Sequence, residues 1–229
     1  MKRLEITGVC LPARMVSGDY YDFLPLGSDD LGIAVGDISG KGISAALLMA
    51  SLHATLHSNV MYLHDTLDAV GEKNVAGIVN LVNRQLCGYT SDNRFATFFY
   101  AHYDDALSSL IYCNAGHNPP LHFHGGEYQR LGVGGTVLGI FPEADYAQET
   151  IQLAEDDLLI AYTDGVSECT NRDGEEFGEA RLTELVLANI NLSVEELKDH
   201  IIESVMAWKS DEEQSDDITL VIARMAGSG

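Results

Sequence analysis

One junction decides the fold of this chain, and it reads Val35-Gly36-Asp37-Ile38-Ser39-Gly40-Lys41-Gly42. Residues 31–38 form an apolar run rich in Ile, Val and Ala, which predicts a buried β-strand. From residue 43 to about residue 59 the apolar positions recur at helical spacing. The junction therefore joins a strand to a helix, and it places the carboxylate of Asp37 where the strand ends.

Outward from the junction, the hydrophobic period changes several times along the chain. Helical spacing returns at residues 75–88, 180–188 and 193–209, and the last of these segments opens with Ser193 and Glu196 at the spacing of a capping box. Strand patterns separated by Asp, Gly and Pro turns cover the segment around Leu4 and Ile6 and residues 96–104, 107–115, 120–123, 147–153, 158–163 and 219–224. Helices inserted between runs of strands predict an α+β sandwich. We expect a single domain over residues 1–225 and a flexible tail at 226–229.

Composition excludes several classes of function. The chain has 229 residues, and its 35 acidic against 13 basic side chains give a formal net charge of -22. Such a surface repels nucleic acid and anionic membrane, so neither is an expected partner. The four cysteines are scattered without a Cys-x-x-Cys pair, which argues against zinc and against a disulfide framework. With no signal-peptide pattern and no membrane-spanning apolar stretch, we expect a cytoplasmic protein.

We interpret four aspartates as lying at strand ends, beside small or turn-forming residues: Asp19, Asp37, Asp164 and Asp216. Carboxylates that converge at the rim of a core repel one another, and divalent cations such as Mg²⁺ or Mn²⁺ remove that repulsion. Each aspartate also has a purely structural interpretation when it is taken alone. Asp164-Gly165 is a common hairpin turn, Asp216-Asp217 could cap the turn before the last strand, and Asp19 could lie on a polar strand face. The metal-site hypothesis therefore depends on the four together.

Several competing sites are absent or incomplete. The junction resembles a phosphate-binding loop, but its glycines are one residue too close and Gly42 stands where Ser or Thr should hold Mg²⁺. The chain has neither a Cys-x5-Arg spacing nor a Gly-x-Ser-x-Gly elbow. His53 and His57 share a helix face without the Glu of a zinc-protease motif, and His122 and His124 share a strand face. Core or surface pairs explain both better than metal ligation does.

Taken together, the motifs resemble the SpoIIE-type branch of the protein phosphatase 2C family over nearly the whole chain. The segments that carry the resemblance are Ser17-Gly18-Asp19-Tyr20-Tyr21-Asp22, Gly36 to Gly42 with Ala45-Ala46-Leu47, Asn114-Ala115-Gly116-His117-Asn118-Pro119-Pro120, Thr163-Asp164-Gly165-Val166-Ser167-Glu168, Phe177-Gly178 and Asp216-Asp217-Ile218-Thr219. The resemblance implies two packed antiparallel β-sheets flanked by helices, in four αββα layers. It also implies a serine/threonine phosphoprotein phosphatase, in which metal-activated water attacks phosphorus without a covalent intermediate.

The resemblance assigns roles to particular residues. Asp37 would bridge two Mn²⁺ or Mg²⁺ ions and be central to catalysis, and Asp164 and Asp216 would complete one ion's site. Asp19 and the backbone carbonyl of Ile38 would serve the other ion. Asp217 stands where many relatives in the wider family have Asn. The segment from Asn114 to Pro120 is interpreted as a shaped turn, and contact between His117 and the site is left open.

The resemblance also implies partners. Members of the branch typically dephosphorylate small anti-anti-sigma (STAS-type) proteins of bacterial stress and sporulation pathways, and an upstream sensor domain or a homodimer is left open. The alternative is a non-catalytic metal-binding signalling module of the same fold. A receiver domain is the third interpretation, but the chain is too long and its strands do not alternate with helices as a receiver requires.

Overall fold

The computed structural model describes residues 1–40, 42–67, 73–89 and 94–227. Lys41 of the junction and the last two residues of the predicted tail lie outside these ranges. Of the other two tail residues, Ala226 donates a backbone hydrogen bond of 2.7 Å to the carbonyl of Arg3. None of the described helices is both long enough and apolar enough to cross a bilayer.

Two β-sheets form the centre of the fold. The first sheet has the strand order β1-β11-β10-β6-β7, and all its pairings are antiparallel. Its strands are β1 (Leu4–Leu11), β6 (Leu121–His124), β7 (Glu127–Arg130), β10 (Leu158–Tyr162) and β11 (Ile218–Met225). The first and last strands of the chain pair along their whole length, from Leu4 opposite Met225 to Leu11 opposite Ile218.

The second sheet has the order β2-β3-β4-β5-β8, with β9 also paired to β5. Its strands are β2 (Asp19–Pro25), β3 (Asp30–Ile38), β4 (Ala96–Asp104), β5 (Ser109–Ala115), β8 (Gly134–Gly135) and β9 (Glu149–Gln152). The pairing of β5 with the two-residue β8 is parallel, whereas the other pairings are antiparallel. The sheet is therefore antiparallel apart from this short addition.

Helices cover both outer faces of the sandwich. Helices α1 (Ile43–Leu67) and α2 (Val75–Tyr89) pack on the second sheet, in a buried cluster that includes Leu52, Val79 and Tyr100. The short α3 (Asp164–Ser167) follows β10, and α4 (Gly178–Ala188) and α5 (Val194–Lys209) cover the first sheet. A third cluster, which contains Phe99 and Val221, fills the space between the sheets. The predicted four-layer αββα fold is confirmed.

Most predicted elements are present, and their ends differ by a few residues. Strand β4 has the predicted bounds, whereas α1 runs eight residues beyond the predicted Asn59. The predicted capping box is also present, since the backbone amide of Glu196 donates to Ser193 Oγ at 3.3 Å and that of Ser193 donates to Glu196 Oε2 at 3.0 Å. The prediction omitted β2, β7, β8 and α3, and two of these elements, β2 and α3, carry candidate site residues.

Candidate metal centre

The two sheets bring the predicted aspartates to one end of the sandwich. Asp19 is the first residue of β2 and lies opposite Asp37, the next-to-last residue of β3, in the antiparallel register. On the other sheet, Asp164 begins α3 two residues after β10 ends, and Asp216 lies two residues before β11. Each sheet thus supplies two carboxylates, which confirms the prediction that all four stand where strands end.

A hydrogen bond between the sheets joins the two halves of this group. The hydroxyl of Thr163, at the end of β10, donates to Asp19 Oδ2 at 2.7 Å and accepts from the backbone amide of Thr219 at 3.0 Å. Thr163 is fully buried, and Asp19 is 5% exposed. Asp19 therefore does not lie on a polar strand face, because its carboxylate is held inside the sandwich by the neighbour of Asp164.

A small cleft opens beside this contact. Asp37 and Asp216 line it together with the backbone of Gly18, and the remaining lining residues are Ala13, Arg14, Val16, Gly40, Gly42 and Asp217. A Cβ atom on Gly18 would lie 3.2 Å from the Ile38 carbonyl oxygen and 3.6 Å from Asp37 Oδ1. The Ile38 carbonyl and the Asp37 carboxylate thus both lie beside Gly18.

Burial and neighbouring negative charges raise the pKa of two carboxyl groups at this end of the sandwich. Burial is the largest cause that raises the pKa of Asp19, to about 8, and the charges of Asp37 and Asp217 add to it while the Thr163 hydroxyl opposes it. Burial also raises the pKa of Glu168, and the charges of Asp164, Glu176 and Asp216 raise it further. A cation in the cleft would relieve both effects.

The four predicted carboxylates do not form one tight cluster. Among the described residues, no three of them have oxygen atoms that all lie within 4.8 Å of one another. Ligand atoms about 2.1 Å from one octahedral ion stand at most about 4.2 Å apart, so these side chains would have to move closer together around an ion, and water would supply several of the remaining ligands of Mg²⁺. The donors are carboxylate oxygens and one carbonyl oxygen, which suits Mg²⁺ or Mn²⁺. In donor type, the residues present fit Mg²⁺ or Mn²⁺, and the assignment of particular ligands stays a prediction.

Asp217, whose role the sequence left open, fastens a loop beside the cleft. Its Oδ1 accepts from the backbone amide of Ala13, and its Oδ2 accepts from Ser17 Oγ and the backbone amide of Gly18, each at 2.7 Å. Asp217 is 8% exposed, so these three bonds satisfy a buried charge. They fix residues 13–18, the segment that leads into Asp19, and the partners lie about 200 positions away in sequence.

The Asp164-Gly165 pair is not a hairpin turn, because it forms the first turn of α3. The backbone passes so close to β11 here that a Cβ atom on residue 165 would lie 1.9 Å from the Asp217 carbonyl oxygen. Only glycine allows this approach, which brings Asp164 next to the segment that carries Asp216. The spacing of the two ligands therefore depends on the absence of a side chain at Gly165.

The segment from Asn114 to Pro120 is a shaped turn, as predicted. The Asn114 side chain donates to the carbonyls of His117 and Leu131, and its Oδ1 accepts from the His117 amide at 2.8 Å. His117 is 5% exposed, and burial lowers its pKa to about 4. Its Nδ1 is 2.9 Å from the hydroxyl of Thr97, which lies opposite Asp37 in the sheet. His117 thus contacts a neighbour of the centre as a neutral side chain.

The two histidine pairs singled out in the sequence contact carboxylates outside the centre. His122 Nε2 and His124 Nδ1 lie 2.8 Å and 2.7 Å from the two oxygens of the buried Asp157. His53 and His57 both face Asp22 on β2. These pairs are therefore not ligands of the aspartate centre.

Sequence reasoning missed three residues that shape the cleft: Thr163, Asp217 and Arg14. Thr163 and Asp217 adjoin predicted ligands in the chain, so their position was visible although their contacts were not. Arg14 is exposed and lines a cleft that is otherwise acidic. The sequence offered one indication of Arg14: basic residues are few, 13 in a chain of 229, so one that precedes the Asp19 motif is unusual.

We expect Thr163→Val to destabilise the protein by about 1–3 kcal/mol, because the change removes the donor to Asp19 and leaves the buried Thr219 amide without its acceptor. Urea unfolding would measure this difference. Thr183→Val is the matched control, since that hydroxyl is also buried but donates within its own helix, to the Ala180 carbonyl at 2.9 Å. Equal losses for the two variants would contradict a special role for the contact between the sheets.

The fold is that of PP2C-type phosphatase domains. The SiaA-PP2C domain of Pseudomonas aeruginosa matches 96% of this chain with a TM-score of 0.83 and 21% sequence identity, and the match covers 85% of that chain. Residues 27–226 match the family model of Stage II sporulation protein E (SpoIIE). The chain therefore belongs to the SpoIIE family.

Two curated relatives show the same similarity at higher identity. Phosphoserine phosphatase RsbU of Bacillus subtilis and Protein IcfG of Synechocystis sp. are each 32% identical to this chain over 96% of its length. The matches cover 63% of RsbU and 38% of IcfG, so this chain spans less than two thirds of either relative.

Proposed function

We propose that the chain is a metal-dependent serine/threonine phosphoprotein phosphatase. The observation that carries the proposal is the convergence of four carboxylates from two different sheets at one end of the sandwich, where Asp37 and Asp216 line a cleft and the Thr163–Asp19 hydrogen bond joins the sheets. A purely structural set of turn and cap residues has no reason to bury Asp19 beside two further acidic groups, at a cost in free energy. Relatives named phosphoserine phosphatase support the same function.

In this proposal each carboxylate has a defined task. Asp37, which lines the cleft, would hold both Mn²⁺ or Mg²⁺ ions, Asp164 and Asp216 would hold one of them, and Asp19 with the Ile38 carbonyl would hold the other. When bound, the ions acidify water for attack on phosphorus and neutralise charge on the phosphoryl oxygens. Thr163 and Asp217 keep Asp19 and its loop in position.

Among the described residues that line the cleft, Arg14 is the one with a positive charge. A guanidinium group presents planar donors that match phosphate oxygens, so Arg14 would attract the phosphorylated side chain to an otherwise acidic opening. The net charge of -22 repels anionic molecules from most of the protein surface. The cations in the cleft are then the main attraction for a phosphate group.

We expect hydrolysis of p-nitrophenyl phosphate to require added Mn²⁺ or Mg²⁺ and to stop when EDTA is added. Alkylation of thiols should leave the rate unchanged, because the chemistry needs no cysteine and burial raises the pKa of the Cys113 thiol to about 12. Steady-state rates with each metal, with EDTA and after alkylation test both statements. Full activity in EDTA would contradict the mechanism, and no activity with any metal would favour a non-catalytic module of the same fold.

The proposed substrate is a phosphoserine or phosphothreonine on an anti-anti-sigma (STAS-type) protein of a bacterial signalling pathway. The support is family membership and the 32% identity to RsbU. The test is metal-dependent release of phosphate from phosphorylated STAS proteins encoded beside the gene, with an unrelated phosphoprotein as the control. Equal rates on all phosphoproteins would contradict this specificity without contradicting phosphatase activity.

A further inference from the structure

A group of three metal-ligating side chains lies outside the aspartate centre. Asp22 on β2 and His53 and His57 on α1 each offer one ligand atom, and these atoms all lie within 4.8 Å of one another. It is the one such group of His, Cys, Asp or Glu among the described residues. We propose that Asp22, His53 and His57 bind a single transition-metal ion of the zinc class, at a site separate from the carboxylate centre.

The geometry is close to that of a tetrahedral site. His53 Nδ1 is 3.4 Å and His57 Nε2 is 2.6 Å from Asp22 Oδ2. Ligands about 2.0–2.1 Å from a tetrahedral ion stand about 3.3 Å apart, so the His53 distance already fits and the His57 ring must withdraw by less than about 1 Å. The two rings are neighbours, with centroids 4.2 Å apart, because positions four apart share one helix face.

Alternation along β2 places this group on the opposite side of the sheet from the proposed catalytic ions. Tyr20 and Leu24 pack towards α1 and α2, whereas Tyr21 and Phe23 pack between the two sheets. Asp22 belongs to the helix side, and Asp19 belongs to the inner side where Thr163 contacts it. An ion at Asp22 would therefore occupy a different layer from an ion at Asp19.

The donors favour a different metal from that of the carboxylate centre. Two imidazole nitrogens and one carboxylate suit Zn²⁺, Co²⁺, Ni²⁺ or Cu²⁺, whereas Mg²⁺ prefers oxygen. Burial acts to raise the pKa of Asp22, but hydrogen bonds from His57 and Tyr20 outweigh it and lower the pKa, so the carboxylate is ionised as a ligand must be. The scattered cysteines argue against a thiolate zinc site only, and this one needs no cysteine.

Outer hydrogen bonds hold the carboxylate in place for a ligand role. The Tyr20 hydroxyl donates to Asp22 Oδ2 at 2.9 Å, and the Phe23 amide donates to Asp22 Oδ1 at 2.8 Å. In metal sites, hydrogen bonds of this kind orient the side chains that bind the metal directly. The side chains of His53 and His57 are 46% and 43% exposed, which leaves room for water as a fourth ligand and a route for the ion to enter. A bound ion would fasten α1 to β2.

The test is metal binding by the full chain, prepared without a histidine tag, stripped with EDTA and exchanged into buffer that contains millimolar Mg²⁺. The Mg²⁺ competes with Zn²⁺ for the oxygen-rich centre, and the variants below assign the Zn²⁺ that binds in a calorimetric titration to the histidine site. We expect one Zn²⁺ per chain, and one Co²⁺ with the visible absorption of a four- or five-coordinate ion. His57→Gln and Asp22→Asn should each lower the affinity for Zn²⁺ at least about 100-fold. This loss is larger than the one expected when only a hydrogen bond to a ligand is removed.

Two further variants keep the test decisive. His53→Gln changes the more exposed of the two rings, so the variant should fold normally. It should still lower the affinity for Zn²⁺ at least about 100-fold. His124→Gln is the matched control, because His124 is also exposed and also contacts a carboxylate, that of Asp157. This variant should bind Zn²⁺ as tightly as the wild type does. Absence of Zn²⁺ binding by the wild type, or equal binding by the wild type and His53→Gln, would overturn the proposal.

Discussion

Asp37→Asn is expected to reduce phosphatase turnover at least about 10³-fold at saturating Mn²⁺, the largest loss that any single substitution in the cleft should cause. The carboxamide is a much poorer bridging ligand than the carboxylate, so the substitution would weaken the binding of both ions. The position is half-buried beside Asp19, and the register pairs these two residues directly. Initial rates over a range of Mn²⁺ concentrations would show whether more metal restores activity.

The same substitution should change stability in opposite directions with and without metal. In EDTA the mutant should be slightly more stable, because the Asp37 charge adds to burial in raising the pKa of Asp19, and its removal lowers the cost of placing the Asp19 carboxyl inside the fold. With Mn²⁺ at about 100 times its dissociation constant, the wild type gains about 2.7 kcal/mol that the mutant lacks. Thermal melts in the two buffers measure the reversal.

Asp199→Asn on α5 is the control for that comparison, because it removes one exposed charge from a helix and should respond equally in the two buffers. If Asp37 is instead a capping or turn residue, its replacement would cost about 1 kcal/mol in EDTA and in Mn²⁺ alike. An active mutant with that pattern would contradict the metal role.

Gly165→Ala is expected to lower turnover by about 10²-fold, because a displacement near 1 Å between reacting groups can cost that much. The new methyl group would meet the Asp217 carbonyl and move Asp164 away from Asp216. Overpacking of this kind costs about 1–3 kcal/mol, although alanine is the better helix former by about 1 kcal/mol. Urea unfolding in EDTA separates this loss from any loss of metal binding.

Gly88→Ala in α2 makes the same chemical change where a Cβ atom meets nothing within 4 Å. It should be neutral or stabilising by up to about 1 kcal/mol and should leave turnover unchanged. Equal behaviour of the two alanine variants would show that the approach of α3 to β11 does not set the spacing of the ligands.

Periodicity predicted the elements that bury an apolar stripe. The long strand before Asp37 and the helices on both sides of the sandwich were visible because their side chains alternate or recur every third and fourth residue. Strand β7 gave no such signal, since all four of its residues are exposed, and β8 is only two glycines. Strand β2 was hidden because its alternation mixes tyrosines with aspartates, which pack on two different layers.

Local patterns predicted the candidate ligands but not the contacts that hold them. The Asp-Gly pair at 164–165 has the composition of a hairpin turn, and only the packing against β11 makes it the start of a helix. The bonds from Asp217 to residues 13–18 span about 200 positions, so no local window contains both partners. Asp22 likewise became relevant to His53 and His57 only when α1 folded onto β2.

The pairing of the first strand with the last has a consequence for the order of events during synthesis. When the ribosome has made β1, β2 and β3, Asp19 and Asp37 exist but the partner strand β11 is still about 180 residues away. Non-local pairings of this kind form slowly, and the unpaired first strand stays open to other chains until they form. The acidic cleft is thus completed only after β11 has been made and pairs with β1.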